Sequence, residues 1–119
     1  MNLTRGAVLA AEARKGISVW ARMRGLIGQS APDFASGKGL WIAPSQGIHT
    51  IGMAFPIDAL YLDSECRVAR LYQNLAPYRI GALSWKTRSV LELPAGTLAR
   101  TQTQVGDVLE FTLNRESEV

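Results

Sequence analysis

Phe55-Pro56-Ile57-Asp58-Ala59-Leu60-Tyr61-Leu62 is an apolar run broken by a single charge, Asp58. Its length suits a strand better than a helix, and because apolar side chains fall on both of its faces it reads as a buried strand. Asp63-Ser64-Glu65 then turns the chain, and Cys66 to Leu71 is expected to return antiparallel to it. Upstream, Gln46 to Met53 contains Gly47 and Gly52, which predict an irregular strand or a loop crossing closely over another backbone. Gly39-Leu40-Trp41-Ile42 and Ser89 to Leu93 read as further strands, stopped at Pro44 and at Pro94-Ala95-Gly96. Val108 to Leu113 alternates, with Leu109, Phe111 and Leu113 on one face, after a Gly106-Asp107 turn. Leu3 to Glu12 fits an irregular strand or a bulged pair.

One helix is expected, over about residues 18–28: Ser18 can cap it, Val19, Met23, Leu26 and Ile27 share a face, and Gly28 can end it. Strands in hairpin-like succession with a single helix predict a mainly β fold. The expected form is a two-sheet sandwich or partly open barrel, the helix covering one end or an edge. Residues 1–119 form one domain on this reading: 119 residues, 47% of them apolar, support one core without staples.

Composition narrows the function classes. A single cysteine, Cys66, and a single histidine, His49, do not provide the ligands of a structural zinc site, and neither a metal nor a cofactor is expected. A formal charge of +3 comes from scattered arginines, with Arg14, Lys15, Arg22 and Arg24 the densest group. Nucleic-acid binding is therefore a secondary alternative, and it requires those residues and Arg88 to share one face. No stretch approaches the ~20 apolar residues that span a bilayer, so no membrane partner is expected. The N-terminus lacks the features of a signal peptide, and a cytoplasmic monomer is the expectation.

Several segments match a known pattern in order and spacing. Arg22 to Ile27, Gly39 to Ile42, Gly47-Ile48-His49-Thr50-Ile51-Gly52-Met53-Ala54-Phe55-Pro56-Ile57-Asp58, Leu62-Asp63, Leu91-Glu92-Leu93-Pro94-Ala95-Gly96 and Gly106-Asp107 together resemble the domain of unknown function 192 family. That resemblance implies a small β-rich fold of two packed sheets with a helix, in bacteria and archaea, and it implies no enzymatic activity. Ile48-His49 stands where many relatives carry an aromatic residue and other letters, so no role is carried over to the position before Thr50.

The candidate site residues are His49, Thr50, Asp58, Arg79, Glu92 and Arg22. A carboxylate in an apolar strand must be hydrogen-bonded or paired. Asp58 is expected to accept N–H groups from the glycine-containing loop upstream, or else to stand at a pocket rim held by an arginine. Strand alternation sends Glu92 to the face opposite Leu91 and Leu93, either exposed or paired with Arg22 or Arg79. His49 is the one imidazole available for acid–base work, although no nucleophile elbow accompanies it. Cys66 reads as an inert thiol. Asn74 to Lys86 lacks periodicity and reads as a long surface loop, in which an exposed Trp85 would mark a partner site.

The leading expectation is a binding or accessory domain that recognises a small ligand or protein partner in a cleft between His49-Thr50 and Pro77-Tyr78-Arg79. The alternative is a hydrolase or isomerase with His49 as acid–base group and Asp58 as its orienting carboxylate, which requires the two side chains to meet.

Overall fold

A computed structural model of the chain describes residues 1–9, 12–16, 38–51 and 53–111, with 12–16 as main chain. Five strands, β1 (Glu12–Gly16), β2 (Lys38–Ile42), β3 (Ile57–Leu62), β4 (Val68–Leu75) and β5 (Ser89–Pro94), precede a short helix, α1 (Thr97–Thr101). They lie side by side in the order β1-β2-β5-β3-β4. The β1–β2 pair is parallel and the other three pairs are antiparallel.

The mainly β expectation holds, and in the open form, since the sheet does not close into a barrel. The sandwich alternative gives way to one sheet among the described residues. The reason is β5, which bonds to β2 through Val90–Glu92 and to β3 along its whole length. It thereby joins β1 and β2 to β3 and β4 in one sheet. The helix expected at 18–28 lies outside the described residues. Helix α1 was not anticipated, because five residues after a Pro-Ala-Gly stop carry no apolar period.

Pleating sends alternate side chains to opposite faces, and both faces are covered. Ile57, Ala59, Tyr61, Leu40, Ile42 and Val90 pack with Ile48, Met53 and Phe55 from the preceding loop. Leu60, Leu62, Leu91, Leu93 and Val68 pack with Leu9, Leu98 and Leu109 on the other side. Two-sided burial is why β3, buried at every position, shows no polar alternation. Strand β4 is an edge of the sheet, and half of its residues are exposed.

Two terminal expectations are corrected. In place of the irregular strand or bulged pair expected from Leu3, residues Leu3 to Gly6 form a turn closed by an Asn2–Ala7 bridge. Val108 and Leu109 make only single bridges, to Arg67 and Asn2, while 112–113 lie outside the described residues. Side chains hold these pieces. The buried Asp107 accepts from Asn2 Nδ2 (3.0 Å), from Arg5 Nε (3.1 Å) and from the Gln104 N–H (3.0 Å). Burial pushes the Asp107 carboxyl upward, but these donors and the Arg5 charge outweigh it and hold the pKa below the ordinary carboxylate value.

Asp58 has the most consequential hydrogen bonds of the sheet. Where β3 advances two residues, from Ile57 to Ala59, β4 advances three, from Tyr72 to Leu75, so β4 carries a bulge that includes Asn74 at φ 52°. The Asn74 N–H donates instead to Asp58 Oδ1 at 2.8 Å. The Leu98 N–H, in the first turn of α1, donates to Asp58 Oδ2 at 2.9 Å. The expected backbone partners are therefore present, but they come from downstream, at a bulge and a helix start, and not from the glycine-containing loop upstream.

Asp58→Ala removes both acceptors at once. Hydrogen bonds to a charged group contribute about 1.5–3 kcal/mol each, so a loss of about 3–5 kcal/mol is expected in urea unfolding, with Asp58→Asn losing roughly half as much. An unchanged unfolding midpoint for Asp58→Ala would contradict this role.

Candidate functional site

The segment after β4 does not stand off from the protein to form a cleft with His49 and Thr50; it is bonded directly onto them. Thr50 is buried and donates its N–H to Arg79 O at 2.8 Å, and its carbonyl accepts the Tyr78 N–H at 3.0 Å. Its hydroxyl donates to Ala76 O at 2.7 Å and accepts the Arg79 N–H at 2.8 Å. His49 bridges Ile80, the Gly81 N–H donates to Ile48 O, and the Ser84 N–H donates to Gln46 O. The expected cleft is thus filled by main-chain pairing, because the Thr50 side chain and the main chain of the two segments satisfy each other there.

Two tyrosines fasten this loop to the sheet. Tyr61, fully buried in β3, donates its hydroxyl to Ala82 O at 2.7 Å and accepts the Ile48 N–H at 3.2 Å. Tyr72 accepts the Ala82 N–H at 2.9 Å and meets the Tyr61 ring edge-on, with 5.6 Å between centroids. Burial raises the Tyr72 phenol, yet the Ala82 N–H, Arg70 and Tyr61 together leave it below the ordinary tyrosine pKa. Gly81 lies so close that a Cβ on it would come within 2.5 Å of the Tyr61 hydroxyl, and a Cβ on Gly47 would come within 2.9 Å of Ala82 O. Gly47 thus marks the close backbone crossing expected of it, whereas Gly52 lies outside the described residues.

The six candidate residues do not converge. Thr50 and Arg79 meet through main chain and the Thr50 hydroxyl, while the Arg79 side chain is exposed. Glu92 is buried, not exposed, because the sheet is covered on both faces; it lies opposite Ala59 and Leu40 on the face of Tyr61. Asp58 is one residue away from that pairing, so its side chain faces the opposite side, toward α1. An Arg79 pair with Asp58 or Glu92 is not formed; the ion pair among the described residues is Arg5–Asp107 at 3.1 Å. Arg22 lies outside the described residues, as do Arg24 and Trp20, and the side chains of Arg14 and Lys15 are not described. Both Asp58 oxygens are engaged by Asn74 and Leu98, and His49 belongs to the loop on the other face, so no His49–Asp58 dyad exists.

Other chemistry is sparse. Among the described residues no three His, Cys, Asp or Glu side chains gather to hold a metal ion, and no helix is long and apolar enough to cross a membrane. Asp63 Oδ1 accepts the Glu65 and Arg67 N–H groups as a turn residue. Burial, and then the Asp63 charge, push the Cys66 thiol up. A shallow cleft of about 320 Å³ is lined by Pro44, Ser45, Gln46, Thr87 and Arg88.

What the molecule does present is the outer surface of the loop. Tyr78 is 67% exposed, Ile80 76%, Leu83 84% and Trp85 88%. The Thr87 N–H donates to Ser84 O, which closes a turn with Trp85 and Lys86 at its corners. Of these residues, Trp85 was singled out by the sequence; Ile80 and Leu83 were not, since an aperiodic run does not say which apolar side chains find a core.

The model of the DUF192 family, described as "Uncharacterized ACR", matches residues 3–111. The fold is similar to that of a protein of unknown function from Novosphingobium aromaticivorans DSM 12444, 20% identical, with a TM-score of 0.73 over 83% of this chain and 74% of that one. It is also similar to a protein from Sinorhizobium meliloti 1021 described as a candidate transcription regulator, 23% identical, with a TM-score of 0.72 over 82% of this chain and 79% of that one. At these identities the likeness shows the fold alone. No protein of curated function matches the chain.

Tyr61→Phe strips a donor from Ala82 O and an acceptor from the Ile48 N–H, and about 1–3 kcal/mol of stability should be lost in urea unfolding. Gly81→Ala should lose a similar amount, about 1–3 kcal/mol, through overpacking against the Tyr61 hydroxyl. Parent-like unfolding of both variants would show that the loop is not held here. For Cys66, alkylation needs the thiolate, so its rate should rise with pH around a midpoint above that of free cysteine, about 8.5. A midpoint below that of free cysteine, followed by iodoacetamide labelling, would make the thiol a reactive one.

Proposed function

The chain belongs to the DUF192 family, and from its geometry we propose that it is a non-catalytic binding or accessory domain whose recognition surface is the exposed loop from Tyr78 to Arg88. One observation carries this: four large apolar side chains project into solvent from a segment whose main chain is fixed to the sheet. A loop that is merely loose would have neither the Thr50 nor the Tyr61 and Tyr72 attachments. A surface whose backbone is already ordered loses less conformational entropy on binding, and exposed apolar clusters with polar surroundings mark interaction sites. Recognition thus uses the outer face of the loop in place of a cleft beneath it.

The polar letters of the family motifs support the same view from the other side. Thr50, Asp58 and Asp107 are buried and hydrogen-bonded to main chain, work that builds the domain and leaves little for catalysis. The proposal keeps the protein a cytoplasmic monomer, and the free thiol of Cys66 suits a reducing compartment. Two copies meeting through this loop would also bring Arg79 and Lys86 against their own counterparts.

The dye anilinonaphthalene sulfonate, an anionic aromatic probe, tests the surface directly. The native protein should enhance its fluorescence, and the double variant Leu83→Ser/Trp85→Ser should lower that signal by about threefold or more. Its melting temperature should stay within about 2 °C of the parent, since exposed side chains contribute little to stability. Equal dye binding by the double variant, or a collapse of its melt, would remove the loop as the recognition surface.

A further inference from the structure

We propose that the partner of this loop is the surface of an anionic lipid bilayer, on which the domain docks peripherally. This rests on the loop being the recognition surface. From Gln73 to Leu91 the chain contains no carboxylate, while Arg79, Lys86 and Arg88 are all exposed beside Tyr78, Ile80, Leu83 and Trp85. Arg70 adds a fourth exposed cation, 6.0 Å from the ring of Tyr72, whose hydroxyl holds Ala82. The β3–β4 turn, which carries Asp63 and Glu65, lies at the Leu62–Ser89 end of the sheet near Arg88, whereas the loop leaves β4 at the opposite end, where Leu75 pairs with Ile57.

Three physical features together select a membrane over other partners. Within the loop the charge is of one sign, which suits a surface of anionic headgroups and opposes a second copy of the same loop. The apolar side chains include a tryptophan and a tyrosine, whose rings favour the headgroup level, next to Leu83 and Ile80, which favour the acyl boundary.

The main chain is the third feature. The N–H groups of Tyr78, Arg79, Gly81, Ala82, Ser84, Thr87 and Arg88 all donate to acceptors within the protein. The N–H groups of Ile80, Leu83, Trp85 and Lys86 have no acceptor among the described residues, so the loop is suited to the hydrated headgroup level and its side chains alone reach the acyl boundary. No spanning segment is needed, so the membrane expected to be absent on hydropathy grounds enters as a surface. A projecting turn also needs no shaped cavity in a lipid interface, whereas an acidic protein would have to supply one.

Flotation of the full chain with vesicles decides the matter. Binding to phosphatidylcholine vesicles containing about 30% phosphatidylglycerol should exceed binding to phosphatidylcholine alone by about tenfold or more, and should weaken as salt rises from about 0.1 to about 0.5 M. Arg79→Glu and Lys86→Glu should each reduce it by about fivefold or more. Leu83→Ser/Trp85→Ser should reduce it by about tenfold at an unchanged melting temperature.

No preference for anionic vesicles, or binding that survives both the charge and the apolar substitutions, overturns the proposal. If vesicles fail while the dye signal still follows Leu83 and Trp85, the recognition surface stands and only the lipid assignment falls. Should soluble poly-glutamate bind in a loop-dependent way without vesicle binding, the partner is an acidic protein. If the dye is also insensitive to the loop, both readings fall.

Discussion

The carboxylate of Asp58 is the constraint from which the rest of the sheet's periphery follows. A charged group in the interior of a buried strand is tolerated only when its oxygens are fully engaged. Here each oxygen takes an N–H that regular secondary structure leaves over, one at the Asn74 bulge and one in the first turn of α1. The bulge lies just before the loop that leaves β4, and α1 packs Leu98 onto the face opposite Tyr61. One side chain thus fixes a strand irregularity, a helix start and the exit of the exposed loop.

Thr50 and the two tyrosines extend the same principle across the other face. They supply hydrogen-bond partners for a segment that has no strand neighbour of its own, so an otherwise aperiodic run becomes rigid. Glycines at 47 and 81 are required there because the backbone comes too close for a Cβ, to Ala82 O at Gly47 and to the Tyr61 hydroxyl at Gly81. The consequence is an ordered scaffold beneath side chains that the protein itself does not bury. Apolar groups left in solvent on a rigid support are hard to explain by folding alone, since burying them would have been favourable.

The polar residues that looked most chemical in the sequence are the ones the fold consumes. His49 and Asp58 belong to opposite faces of one sheet, and Glu92 lies on the face that Asp58 does not. Cys66 sits where burial and a neighbouring carboxylate keep it protonated. What faces outward from the 78–88 loop is apolar and cationic, a combination suited to contact.

The sequence by itself determined the strand segments around Leu40, Ile57–Leu62 and Ser89–Leu93, the family, and the need for Asp58 to be satisfied. These are local properties: apolar runs, turn residues and a charge whose burial is costly wherever it is. It also marked Trp85 as the aromatic to watch. Tertiary structure alone decided that β5 enters between β2 and β3, that Glu92 is covered, and that Thr50 closes the expected cleft. It alone decided, too, which apolar residues of the 78–88 loop stay in water. Each of these depends on which segment arrives opposite which, and pairing across a sheet is set by contacts distant in the chain that no local pattern encodes.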